Sequence, residues 1–105
     1  MTLRLREHSG ALADLREAAI WYEEEGPGLG DDFIAAIDDA LQRILQFPTL
    51  APLYAESDNG PQIRSTQVAV FPYRVIYCVS DSTVFILAYT HHRRSPTYWQ
   101  DRLDS

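Results

Sequence analysis

Residues 11–48, ALADLREAAIWYEEEGPGLGDDFIAAIDDALQRILQFP, decide the fold. Leu12, Leu15, Ala19 and Tyr22 recur at spacings of 3, 4 and 3, which puts them on one stripe of a helix, and Ser9 stands where an N-cap is expected. The run EEEGPGLGDD breaks that helix. Glycine accepts a left-handed turn, proline blocks continuation, and Asp31 and Asp32 suit the positive N-terminus of a second helix. The second helix carries Phe33, Ile37, Leu41, Ile44 and Leu45 on its apolar face and ends at Phe47 and Pro48. Two amphipathic helices joined by so short a loop form an αα-hairpin.

On either side of the hairpin the hydrophobic period falls from helical to alternating. Upstream, LRLRE (residues 3–7) places Leu3 and Leu5 on one face of a short strand. Downstream, the polar loop YAESDNGP (54–61) leads into QIRSTQVAV (62–70), YRVIYCVS (73–80) and TVFILAYTH (83–91), all strand-like. Asp81 and Ser82 suit a tight hairpin turn between the last two. The final run is apolar on both faces around Val84, Phe85, Ile86 and Leu87, as expected of a central strand covered by the helices on one side. Tyr73 and Tyr77 share a face and are expected to point into the core. The predicted product is a small α+β domain: an antiparallel sheet in the order β-α-α-β-β-β with the helical hairpin packed on one face.

Composition bounds what such a domain can do. The 105 residues suffice for one core, so residues 1–105 are read as a single domain. No apolar run approaches the roughly 18 residues of a membrane span, and MTLRLREHSG has no secretory core, so no membrane is expected and the address is cytoplasmic. The lone Cys78 lies in an apolar strand and reads as a buried thiol. Adjacent His91 and His92 point apart on a strand and no ligand spacing accompanies them, so neither metal nor cofactor is expected.

The net charge of -6 argues against a nucleic-acid coat, and no sequence-specific DNA binding is expected of the chain alone. That average hides an asymmetry. Residues 1–60 hold four arginines and twelve carboxylates, whereas residues 61–105 hold five arginines and three carboxylates. Every cation is arginine, with no lysine, which leans the chemistry toward docking and charge stabilisation rather than proton transfer.

The element order, together with ALADLREAAIWYEEEGPGLGDDFIAAID, FPYRVIYCV and AYTHHRRSPTYWQDR, resembles the RelE/ParE superfamily of toxins from type II toxin–antitoxin systems. FPYRVIY and HHRRSPTYW are most similar to the ParE, or plasmid-stabilisation, branch. The resemblance runs from about Leu3 to Arg102. It implies one fold with two chemistries. RelE-like members are ribosome-dependent endoribonucleases that cut mRNA, and ParE-like members poison DNA gyrase by protein–protein contact. Both are held inactive by a cognate antitoxin, so the resemblance leaves open whether the chain is an enzyme.

Each chemistry selects residues. Cleavage through the 2′-hydroxyl needs a base, an acid and cations for the phosphorane. His91 or His92 would move the proton, Arg64, Arg93 and Arg94 would hold phosphate, and Tyr98 or Trp99 would stack a base; the nuclease set is thus Arg64, His91, Arg94 and Tyr98. A gyrase-docking surface would instead draw on Arg64, Arg74, His92, Arg93, Arg94, Tyr98 and Trp99. Pro96 is expected to stop the last strand, and the alternative for Trp99 is that it closes the core. Acidity and the single Arg64 in QIRSTQVAV count against work inside a phosphate field.

Overall fold

The computed structural model describes residues 3–55, 61–95 and 97–104. In chain order they form β1 (Arg4–Glu7), α1 (Ser9–Glu25), α2 (Leu29–Gln46), β2 (Leu53–Ala55), β3 (Ile63–Gln67), β4 (Tyr73–Ser80), β5 (Thr83–His91) and a 3₁₀ helix (Gln100–Asp104). Pro96 lies outside the described residues. The α+β architecture and its element order match the sequence reading, and the sheet adds two features.

The five strands run in the order β1-β5-β4-β3-β2. β1 lies parallel to β5, with Leu5 beside Val84 and Glu7 beside Ile86, so the sheet is mixed rather than wholly antiparallel. Alternation in LRLRE specifies a half-buried strand but carries no information about the direction of its partner. The second addition is β2, which pairs with β3 through Leu53 and Arg64 and stands where a loop was expected. Three residues are too few to display a period; the ladder makes the strand.

The two helices cover one face of the sheet. Ala11, Ala18, Phe33, Ile37, Ala40, Leu41 and Ile44 pack there on Val75, Tyr77, Val84, Ile86 and Tyr89. Tyr22, Phe33, Phe71 and Tyr73 extend this core as an aromatic cluster with ring centroids 4.9–6.1 Å apart. The buried stripe of α1 is rotated from the one expected. Ala11, Asp14 and Ala18 are innermost, and Leu12 is 43% exposed. The start of α1 also differs: His8 is the N-cap, its ring Nδ1 accepting from Gly10 N at 2.9 Å, and Ser9 is already helical. Between the helices the left-handed residue is Gly28 (φ 86), and the Glu23 carboxylate accepts from the backbone N–H groups of Gly28 and Gly30.

Behind the sheet sits a second, smaller core of Ile63, Ile76, Cys78, Leu87, Ala88 and Trp99, edged by Tyr54, Phe85 and Tyr98. The C-terminal segment covers it. β5 is therefore buried on both faces, which explains its unbroken apolar run. Ile76 pairs with Ala88 but Tyr77 with Ile86, so Leu87 is an extra residue and both Leu87 and Ala88 face the second core. The β4–β5 hairpin turns through Asp81 (φ 49) and Ser82 (φ 65), the two positive dihedrals of a type I′ turn, as expected. No helix among the described residues is long and apolar enough to cross a membrane.

Candidate functional site

The site grows from the free stretch of β5. β1 pairs with β5 only as far as Ile86, which leaves the backbone of residues 87–91 open on that edge. Asp14 of α1 and Arg102 of the 3₁₀ helix close it. Asp14 Oδ2 accepts from Tyr89 N at 3.3 Å, and Arg102 Nη1 donates to Leu87 O at 2.8 Å. The two plugs are themselves paired: Arg102 Nη1 reaches Asp14 Oδ2 at 2.8 Å and Arg102 Nη2 reaches Asp14 Oδ1 at 3.3 Å. Tyr98 adds its hydroxyl, donating to Asp14 Oδ2 at 2.9 Å. A Cβ at position 10 would come within 2.6 Å of Arg102 Nε, so Gly10 lets the guanidinium lie against α1.

This buried carboxylate anchors the cationic turn that follows β5. Arg94 lies 3.8 Å over the Tyr98 ring and 3.7 Å from Asp14 Oδ1, while nearly half its side chain remains in solvent. The turn itself is closed by backbone: Arg94 N donates to His91 O at 3.0 Å, and Arg93 N to His91 Nδ1 at 3.0 Å. His91 Nδ1 is thereby occupied as an acceptor. His92 is tied by its backbone N–H to Pro72 O. Arg93 is exposed.

At the end of β5, Tyr54, Arg74, Thr90, His91, His92 and Arg94 line an open hollow of about 250 Å³. Arg74 is held there by donation to Ser65 Oγ at 3.0 Å and lies 5.6 Å over the Tyr54 ring. Among the described residues its lining contains no carboxylate. Such a hollow suits an anion or an acidic side chain. Burial, reinforced by the adjacent Asp14 carboxylate, pushes the Tyr98 phenol above its ordinary range, so it stays neutral and serves as a donor and stacking surface.

The structure therefore brings together Arg74, His91, His92 and Arg94 of the residues singled out from sequence, with Tyr98 beneath Arg94 and Arg93 on the same turn. It separates two others. Arg64 pairs with Tyr77 on the helix side and is tethered to Ala51 O at 2.7 Å, away from the hollow. Trp99 is 1% exposed and sits in the second core, 6.1 Å from the Tyr54 ring, so it supports the turn from below and offers no surface to a partner. Its indole Nε1 has no hydrogen-bond partner among the described residues.

Sequence reading missed Asp14, Arg102, Tyr54 and Thr90. Asp14 left one trace: it occupies a position between Ala11 and Ala18, which an apolar helix face would reserve for an alkyl group. Arg102, far away in sequence, left none.

Comparison with known proteins bears on this geometry. A search of the curated proteins returned no match. Among solved structures, the chain is similar to a chromosomal ParDE TA system from P. aeruginosa, with 16% identity, a TM-score of 0.60, and coverage of 86% of this chain and 96% of that one. It is similar also to an arginine-substituted mutant of E. coli toxin RelE in the free state, at 19% identity and a TM-score of 0.65, over 98% and 99% of the two chains. Identities this low establish the shared fold alone. The sequence profile described as the ParE toxin of type II toxin-antitoxin system, parDE, matches residues 5–96, nearly the whole span from β1 to the turn after β5. The chain belongs to the ParE toxin family of type II toxin–antitoxin systems.

Proposed function

We propose that the chain inhibits DNA gyrase by protein–protein contact and is neutralised by a cognate antitoxin, acting as a single cytoplasmic domain. The observation that carries this reading is the cationic turn 91–94, presented to solvent on a buried Asp14–Arg102–Tyr98 clamp. A docking surface needs cations held in place before the partner arrives, because ordering them at contact costs about 0.5–1.5 kcal/mol per side chain. Arg94, stacked on Tyr98 and facing Asp14, meets that need, and Arg74, His92 and Arg93 surround it. Tyr98 contributes through Arg94, and Trp99 through the core beneath. The acidic Glu23, Glu24, Glu25, Asp31, Asp32, Asp38 and Asp39 are all exposed on the helical hairpin, a surface that suits basic side chains of the antitoxin.

One observation favours a second reading, ribosome-dependent mRNA cleavage: Arg74, His92 and Arg94 meet Tyr54 around one hollow, a combination that would take a phosphate and a base. Against it, Arg64 lies outside the hollow and His91 has one ring nitrogen engaged. Expression of the chain without antitoxin separates the two. Filamentation with a DNA-damage response, and loss of supercoiling by purified gyrase, is the expected result. Prompt arrest of translation, with ribosome-dependent mRNA cutting that falls about 10²- to 10⁴-fold in His91→Ala or His92→Ala, would replace the gyrase reading with the nuclease one. Failure to co-purify with the product of the neighbouring gene would remove the antitoxin.

A further inference from the structure

Val70 stands at the tip of the β3–β4 loop with φ 75 and a side chain 96% exposed. Each property is unfavourable alone. A β-branched residue in the left-handed region is a steric outlier, and glycine or asparagine is the usual occupant of such a position. A fully exposed isopropyl group gains nothing from the hydrophobic effect. Within the chain, the strain has no visible return.

The strain is nevertheless enforced from both sides. Val68 is buried, and its N–H donates to Tyr73 O at 2.9 Å. Phe71 packs edge-on against Tyr22 and Phe33, with centroids 4.9 and 5.2 Å away. Two pinned neighbours leave Val70 held outward. The loop is also fastened to the cationic turn: His92 N donates to Pro72 O at 3.0 Å, and the Gln67 amide lies 3.4 Å from His92 Nε2. On the other flank Arg43 donates to Gln67 O at 3.0 Å. An exposed apolar tip thus rises beside Arg43, on a loop fastened to His92, and the described lining of the open hollow of about 600 Å³ next to it includes no carboxylate.

We infer that Val70 is the apolar anchor with which this chain docks on its target, a protein surface offering an apolar socket rimmed by carboxylates. The assignment rests on the gyrase reading above and names the part of the toxin that makes first contact there. Charge directs the choice of occupant. The acidic helical hairpin suits a basic antitoxin, whereas the Val70 loop is flanked by Arg43 and fastened to the arginine-bearing turn 91–94, which complements an acidic partner. Backbone strain held by a core and directed at a surface is a common signature of functional contact.

The test compares Val70→Gly, Val70→Asn and Val70→Ile with the wild-type chain in thermal stability, antitoxin binding and inhibition of gyrase supercoiling. Glycine and asparagine relax the backbone, so the melting temperature should rise by about 4 °C, while inhibition weakens roughly 30-fold, the loss expected of an interface anchor. Val70→Ile keeps the apolar branch and should inhibit like the wild type. Antitoxin binding should be unchanged in all three. If the wild type inhibits gyrase and the glycine and asparagine variants inhibit equally well, the anchor assignment is wrong and the gyrase reading survives. A wild type without effect on gyrase removes both. Weakened antitoxin binding, or a concentration-dependent dimer that the variants abolish, would hand Val70 to another interface and overturn the assignment.

Discussion

Replacing Asp14 with alanine should destabilise the domain by about 3 kcal/mol, a large part of the 5–15 kcal/mol that holds a domain of this size together. The Asp14 side chain is 5% exposed and that of Arg102 15%, so the pair is effectively buried. Removing one partner of such a pair typically costs about 3–5 kcal/mol, because the other charge is left without compensation. The lower end applies here. Arg102 keeps its bond to Leu87 O and a small path to water, and Tyr98 can turn its hydroxyl outward. For a chain near 100 residues, 3 kcal/mol lowers the melting temperature by roughly 12–24 °C. Thermal unfolding followed by circular dichroism measures it, and a cycle of Asp14→Ala, Arg102→Ala and the double variant isolates the coupling. A drop below about 4 °C for Asp14→Ala, with no coupling in the cycle, would place the pair among exposed ion pairs worth about 0–1 kcal/mol and refute the clamp.

Trp99→Ala should cost about 3–5 kcal/mol of stability through the cavity it leaves in the second core, measured as a fall in urea midpoint at unchanged m-value; a near-neutral result would place Trp99 on the surface. Arg93→Ala/Arg94→Ala should unfold within a few degrees of the wild type and keep antitoxin binding while weakening gyrase inhibition at least tenfold. A folded double variant that inhibits fully would return these arginines to the solvent. Burial raises Cys78, Tyr22, Tyr73, Tyr77, Tyr89 and Tyr98 above their ordinary values, with the Glu7 carboxylate adding to the rise at Tyr89. Each group resists ionisation more in the folded chain than in the unfolded one. Stability should therefore be full below about pH 8.5, where thiols begin to ionise, and decline as pH climbs through and beyond the ordinary tyrosine range near 10. A melting temperature that holds constant from pH 8 to 11 would contradict this.

The sequence by itself determined the elements and the class of fold, because both follow from local periods. Phe33, Ile37, Leu41 and Ile44 state a helix without reference to anything beyond α2, and Asp81–Ser82 between two apolar runs states a hairpin. The charge division between the acidic hairpin and the arginine-bearing C-terminal part was equally legible, as were His92, Arg93 and Arg94 as a cluster, since they are neighbours in the chain.

Only the tertiary structure decided what depends on distant residues meeting. The direction of β1 against β5 arises from a ladder between residues about 80 positions apart, to which alternation is blind. The bulge at Leu87 is hidden because a run apolar on every position looks the same in either register. Asp14 and Arg102 meet across 88 positions, and their pairing turns a carboxylate on a helix and an arginine in the tail into the anchor of Arg94. Type alone left Trp99 open between a docking anchor and a closure of the core, and placed Arg64 with the docking residues; burial of the one and the tether of the other to Ala51 O depend on what lies around each side chain. The strain at Val70 follows from the same cause: VAVFP has strand composition, and the packing of Val68 and Phe71 on the core holds Val70 in a conformation its own side chain disfavours.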